Sequence, residues 1–148
     1  MGTFDTIFQS LGRMGQLAIQ GAAAGLDDGA AALERTAQAR ARAVIRGQTG
    51  ATFAGIVAYV TGEGISASGR LSEAVEAVRD HNPAHVELSQ VGSLGAHELA
   101  VVLTVPTDYQ RLLETGVAGD KGFLGPSLDA EADNLTRAAA AGIARVLR

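Results

Sequence analysis

The chain has 148 residues, which is enough for one domain with a buried core. It has no cysteine, so disulfides, thiolate chemistry and cysteine metal sites are excluded. A net charge of -4 and an aromatic content of 4% argue against a surface that attracts nucleic acid or stacks bases. No apolar run reaches the roughly 18 residues of a membrane span, so we expect no membrane partner.

The first stretch, residues 1–27, is predicted to be a flexible arm with a short helix. Phe4, Ile7, Phe8 and Leu11 recur at helical spacing. The glycines that follow each weaken a helix by about 1 kcal/mol relative to alanine. We therefore expect this arm to become ordered only against a neighbouring subunit.

The clearest helical pattern runs from Asp28 to Arg46 and is predicted to end at Gly47. Apolar residues repeat along one face of this helix at intervals of three or four positions. This stripe consists of Leu33, Ala37, Ala41, Val44 and Ile45.

An arginine-rich flank lies on the same helix, at Arg35, Arg40, Arg42 and Arg46. Two interpretations remain open at this point. The flank is either a solvated face with favourable charge near the helix C-terminus, or a surface that contacts phosphate or an acidic neighbouring subunit.

The middle of the chain is predicted to form a sheet with one helix. Residues 51–61 are apolar on both faces, which is typical of a strand buried on both sides. Residues 70–80 have the pattern of an amphipathic helix. Residues 85–89 and 99–105 alternate like two strands, and residues 92–95 suit a hairpin loop between them.

The stretch from Pro106 to Leu128 links the last strand to the last helix. It is predicted to contain a short helical turn and a glycine-rich loop. Pro126 suits the first turn of a helix, where a missing N–H is no loss. Phe123 and Leu124 are placed to pack back on that helix as a staple.

A long amphipathic helix is predicted from Ser127 to Arg148, and small residues between Ala138 and Gly142 would let another element approach closely. The element order predicts a single α+β domain over residues 28–148. In it a small, mainly antiparallel sheet is packed by a long helix from the N-terminal half and a long C-terminal helix.

The sequence offers no catalytic or metal-binding constellation. His81 and His85 have the spacing of a zinc helix, but Pro83 between them prevents that helix. The acidic pairs lie at helix starts or on polar helix faces, where capping and solvation explain them. We therefore predict that the protein is not an enzyme and needs no cofactor and no metal.

Three short motifs, however, match a known family: a Thr-Gly turn before the first strand, a Tyr, Glu and Gly after the last strand, and Phe-Leu-x-Pro at the start of the last helix. The matching residues are Thr49, Gly50, Tyr109, Glu114, Gly116, Phe123, Leu124 and Pro126. From Asp28 onward the chain resembles the small neck, or head–tail joining, proteins of long-tailed double-stranded DNA bacteriophages. It departs from their pattern at Phe53 and Gly55 and in the helix over residues 70–80.

The resemblance implies a structural virion protein that forms a ring at the head–tail junction, either as neck protein or as tail terminator. The ring would be a hexamer or dodecamer assembled in the host cytoplasm. Other neck, connector and tail-tube proteins would contact it, and double-stranded DNA would pass through it without sequence-specific binding. Alternatives are a minor tail or other assembly component, or a small binding domain unrelated to phages.

The residues expected at subunit contacts or facing the channel follow from the basic flank and from the resemblance. They are Arg35, Arg40, Arg42, Arg46, Tyr109, Glu114, Phe123 and Leu124.

Overall fold

A computed structural model of the chain describes residues 15–44, 55–62, 65, 69–81, 83–88, 94–95, 98–107 and 122–147. Within these residues the chain forms three helices and two strands. They are α1 (Gly15–Val44), β1 (Val57–Gly62), α2 (Gly69–His81), β2 (Leu99–Thr104) and α3 (Leu124–Val146). A 3-10 turn over Pro83–His85 follows α2.

The two strands pair in antiparallel register, with Val57 opposite Thr104 and Gly62 opposite Leu99. The long helices α1 and α3 pack against each other and against this sheet, and α2 also contacts β1. The predicted α+β class, with a small antiparallel sheet packed by two long helices, is therefore confirmed.

Strand β1 is buried on both faces, as its sequence predicts. Ala58 and Val60 join the main core cluster, which includes Leu33 of α1 and Leu135 of α3. On the other face, Val57 and Tyr59 pack in a smaller cluster with Ala74 of α2. Helices of the same chain therefore cover this apolar strand, and it needs no neighbouring subunit for its burial. Residues 51–54 of the predicted strand lie outside the described residues.

The predicted start of the first long helix at Asp28 is wrong, because α1 already begins at Gly15. Residues 15–27, predicted as part of a flexible arm, are helical. Their inner face carries Ala18, Ala22 and Leu26, none of which exposes any surface. Burial of this face against the rest of the core offsets the low helix propensity of the glycines. Residues 1–14 lie outside the described residues.

The strand predicted over residues 85–89 does not form. Val86 makes one isolated bridge to Thr107, and the Glu87 N–H donates to the Pro106 carbonyl oxygen at 3.1 Å. Pro83 starts the 3-10 turn instead, Val86 is only partly buried and Leu88 is left 56% exposed, so neither apolar position of the alternating pattern is fully buried. Residues 92–93 of the predicted hairpin loop lie outside the described residues.

The start of α3 is a buried corner. Gly122 has a positive φ of 57°, a backbone conformation that suits glycine, and the helix then begins at Leu124 with Pro126 in its first turn. Phe123 is fully buried, and the Ser127 hydroxyl donates to its carbonyl oxygen. Phe123 shares its core cluster with Ala37, Ala41, Ile56, Val78, Val105 and Leu124. Among these residues only Leu124 belongs to α3, so Phe123 packs on α1, α2 and the strand ends, and its predicted packing back on the last helix as a staple is not shown.

We predict that Phe123→Ala lowers the free energy of unfolding by about 3–5 kcal/mol, because it leaves a cavity in this cluster. Urea unfolding followed by circular dichroism measures the change. Leu88→Ala is the control, since Leu88 is mostly exposed and its truncation should cost less than about 0.5 kcal/mol. Equal losses in the two variants would contradict the assignment of Phe123 to the core.

Candidate subunit-contact surface

The contact between α1 and α3 brings the two helix backbones together. A methyl group added to Gly25 would overlap the carbonyl oxygen of Ala138, and one added to Gly142 would overlap that of Gly21. One added to Gly21 would lie 2.6 Å from the Gly142 carbonyl oxygen. Small residues permit such an approach because no side chain separates the helices. The predicted close approach at residues 138–142 is confirmed.

The helices run in opposite directions along this contact, which we call the glycine seam and define by Gly21, Gly25 and Gly142. Gly21 meets Gly142 near the end of α3, whereas Gly29 meets Leu135 nearer its middle. The first residues of α1 and the last residues of α3 therefore lie at the same end of the molecule.

At this end, apolar side chains remain on the surface, which the sequence patterns did not predict. Leu17 is 61% exposed, Val146 is 39% exposed and Leu147 is 49% exposed. We call these three residues the end patch. Val146 is the last residue of α3, so the packing around it is incomplete.

The arginines of the predicted basic flank do not all lie on one side of α1. Arg35, Arg40 and Arg42 are exposed on α1, whereas Arg46 lies outside the described residues. At about 100° per residue, Arg35 and Arg42 share one side of the helix and Arg40 lies about 140° away. The arginines therefore face two directions and do not form one continuous stripe.

Arg35 has an acidic neighbour in its own chain. The Thr36 hydroxyl of α1 donates to Glu131 Oε1 of α3 at 2.7 Å, and Asn134 Nδ2 donates to Glu131 Oε2 at 2.8 Å. The hydrogen bonds from Asn134 and Thr36, and then the positive charge of Arg35, lower the pKa of Glu131, while burial opposes them. This favours a role for Arg35 in stabilising the charge of Glu131 within its own chain, rather than at a subunit contact.

The remaining candidates are Tyr109, Glu114, Phe123 and Leu124. Tyr109 and Glu114 lie outside the described residues. Phe123 and Leu124 are buried in the core cluster, which gives both a packing role within one chain, and their role at a subunit contact or in a channel stays a prediction. A motif of large apolar residues before a helix is consistent with either role, and only tertiary packing separates the two.

A polar junction joins α1 to the edge of β1. Glu34 Oε1 accepts a hydrogen bond from the Ala58 N–H at 3.1 Å. One turn later, Gln38 Nε2 donates to the Ile56 carbonyl oxygen at 3.4 Å. Ala58 N–H and Ile56 C=O are backbone groups that a further strand would otherwise satisfy. These two side chains therefore fix how α1 lies along the sheet.

A second polar tie holds α2 to α1. Arg70 Nη2 donates to Asp27 Oδ1 at 2.7 Å and to the Asp27 carbonyl oxygen at 3.1 Å. Arg70 also lines a cavity of about 210 Å³ together with Glu34 and Glu73, but its Nη1 atom is buried without a hydrogen-bond partner. The described residues around this cavity include no histidine and no hydroxyl nucleophile, so they do not form a nucleophile–base pair.

The part of the chain that the structure describes contains no group of three or more His, Cys, Asp or Glu side chains placed to hold a metal ion. None of its helices combines the length and the apolar character that crossing a membrane requires.

Comparison with protein-family models, with curated proteins and with solved structures finds no match to this chain.

We predict that Gly25→Ala destabilises the protein by about 1–3 kcal/mol, although alanine is the better helix former, because its methyl group forces the seam apart. Chemical unfolding measures the loss. Gly69→Ala is the matched control, since no atom lies within 4 Å of the added methyl group. A neutral or stabilising Gly25→Ala would contradict the close seam.

Acid should weaken the Glu131 link between the helices. A carboxyl group with a pKa below the usual 4.5 stabilises the folded state above that value, and the contribution is lost as the pH falls through the folded pKa. We therefore expect the stability difference between the wild type and Glu131→Gln to be largest near neutral pH and to shrink in acid. Unfolding curves recorded across this pH range test it.

Asp80→Asn is the control, because Asp80 is an exposed carboxylate on α2, outside the link between α1 and α3. An equal pH dependence in both variants would contradict a specific role for Glu131.

Proposed function

We propose that this chain is a structural virion protein that forms a ring at the head–tail junction of a long-tailed double-stranded DNA bacteriophage. As a neck protein or tail terminator, it joins the head to the tail tube and lets DNA pass. The observation that supports the proposal is the corner at Phe123, Leu124 and Pro126. These residues belong to the motif that carries the family resemblance. Here Phe123 and Leu124 are buried in the core, and Pro126 lies in the first turn of α3.

The fold suits a ring subunit because its core is complete within one chain. The helices α1, α2 and α3 already cover both faces of β1. Self-association can then use the outer helix surfaces without opening the core. A head-to-tail ring needs two different patches on each subunit that complement each other.

The charges on the outer surfaces supply candidates for such patches. Arg40 and Arg42 are exposed on α1, and Asp129 and Asp133 are exposed near the start of α3. An arginine on one subunit can pair with a carboxylate on the next, which favours one orientation between neighbours. Arg40 is the best candidate, because it lies on a different side of α1 from Arg35 and its acidic neighbour Glu131.

The net charge also fits a channel for DNA. At -4 the chain has no general attraction for phosphate, so a duplex could slide past it without being held. A binding protein for DNA would instead need a concentrated basic surface.

Size-exclusion chromatography with light scattering and negative-stain electron microscopy test the proposal on the full chain. We expect hexameric or dodecameric rings with a central hole. A protein that stays monomeric at its highest soluble concentration, or forms only closed dimers, would contradict it.

A charge reversal at Arg40 tests whether this residue lies at the subunit contact. We predict that Arg40→Glu reduces the fraction of protein in rings, because it puts like charges across the subunit contact. Arg79→Glu is the control, since Arg79 is exposed on α2 and paired locally with Glu76. Light scattering measures both variants, and equal ring fractions would exclude Arg40 from the contact.

A further inference from the structure

We propose that the end patch binds the N-terminal apolar segment, residues 4–11, of a second copy of this chain. This inference rests on the proposed function, because it names the contact through which neighbouring subunits of the ring would join.

The end patch is a concentrated apolar surface. Among the described residues, the large hydrophobic side chains that remain exposed are Leu17, Leu88, Val146 and Leu147, and all but Leu88 lie at this end. Exposed apolar side chains are common when scattered, whereas grouped ones mark interaction sites.

The geometry of the glycine seam explains why this patch is uncovered. A methyl group on Gly21 would touch Val146 Cγ2 at 2.7 Å, so the last turn of α3 lies over Gly21. Leu17 is one helical turn before Gly21 and therefore continues the same face of α1. Because α3 ends at Val146, no further turn of α3 covers Leu17.

The chain itself contains a segment suited to this patch. Residues 1–14 lie outside the described residues. They precede α1, which begins at Gly15, two residues before the exposed Leu17. They include four large apolar residues at helical spacing: Phe4, Ile7, Phe8 and Leu11. Two of the four phenylalanines of the chain are among them. Such spacing is typical of a helix that places its apolar face in a groove of a partner.

A second copy is the better placed partner than the same chain. Only residues 12–14 separate the segment from α1, which leaves little chain for a return onto Leu17 of the same helix. A second copy offers its patch without that restriction. The segment and the patch are also two different surfaces, as a head-to-tail ring requires.

Truncation and substitution test the contact. A chain that begins at Met14 lacks the segment but keeps the whole of α1, and Leu147→Asp places a charge in the patch. We expect either change to weaken self-association by about tenfold or more, measured by sedimentation velocity over a concentration series. Leu88→Asp is the matched control, because Leu88 is a similarly exposed leucine elsewhere on the surface, and it should associate like the wild type.

A mixing experiment separates a second copy from the same chain. The truncated chain has a patch without a segment, and the Leu147→Asp chain has a segment without an intact patch. Each alone should remain mostly monomeric, and an equimolar mixture should form a mixed dimer. Thermal unfolding of each variant checks that it is folded.

Two results would overturn the proposal. Undiminished association of the truncated chain would exclude the segment. Absence of mixed dimers, with a lower melting temperature of the truncated chain, would show that the segment docks on its own chain. Rings formed by the truncated chain would reject this contact but keep the proposed function. Mixed dimers of the two variants, together with a wild type that never forms rings, would keep this contact but reject the proposed function.

Discussion

The direct contact between the backbones of α1 and α3 is the constraint on which the rest of the structure depends. At Gly21, Gly25 and Gly142 no side chain separates the two helices. This approach sets the distance between the helices and therefore the width of the surface that they offer to β1 and β2. The contact also ends abruptly. The face of α1 that carries the glycines extends one turn further, to Leu17, but α3 ends at Val146 and leaves Leu17 exposed. The same seam thus accounts for both the closed core and the apolar surface at one end.

The two-sided burial of β1 decides how copies of this chain could associate. An apolar strand can be covered by a neighbouring subunit or by helices of its own chain, and here α1 and α2 cover it. Glu34 and Gln38 of α1 also hydrogen-bond to the backbone at the edge of the strand. The outer helix faces and the end patch are the surfaces that the proposed assembly would use. In the proposed ring, subunits would join without rearranging their cores.

Local patterns in the sequence predicted the elements that have strong periodicity and clear stop signals. The helix over residues 70–80, the buried strand and the Pro126 start of the last helix are of this kind. The start of α1 could not be predicted in this way, because each glycine counts against a helix until its partner helix is known. Phe123 and Glu131 show the same limit, since a buried corner and a lowered pKa each depend on residues distant in the sequence.

Nuclear Overhauser effects between the Hα protons of Gly21 or Gly25 and those of Gly142 would test the glycine seam most directly. The account predicts strong cross-peaks, because helix backbones that lack an intervening side chain bring these protons within a few ångströms of each other. Cross-peaks confined to side-chain protons of the flanking residues, with none between the glycines, would mean that the helices are spaced by ordinary side-chain packing and would contradict the account.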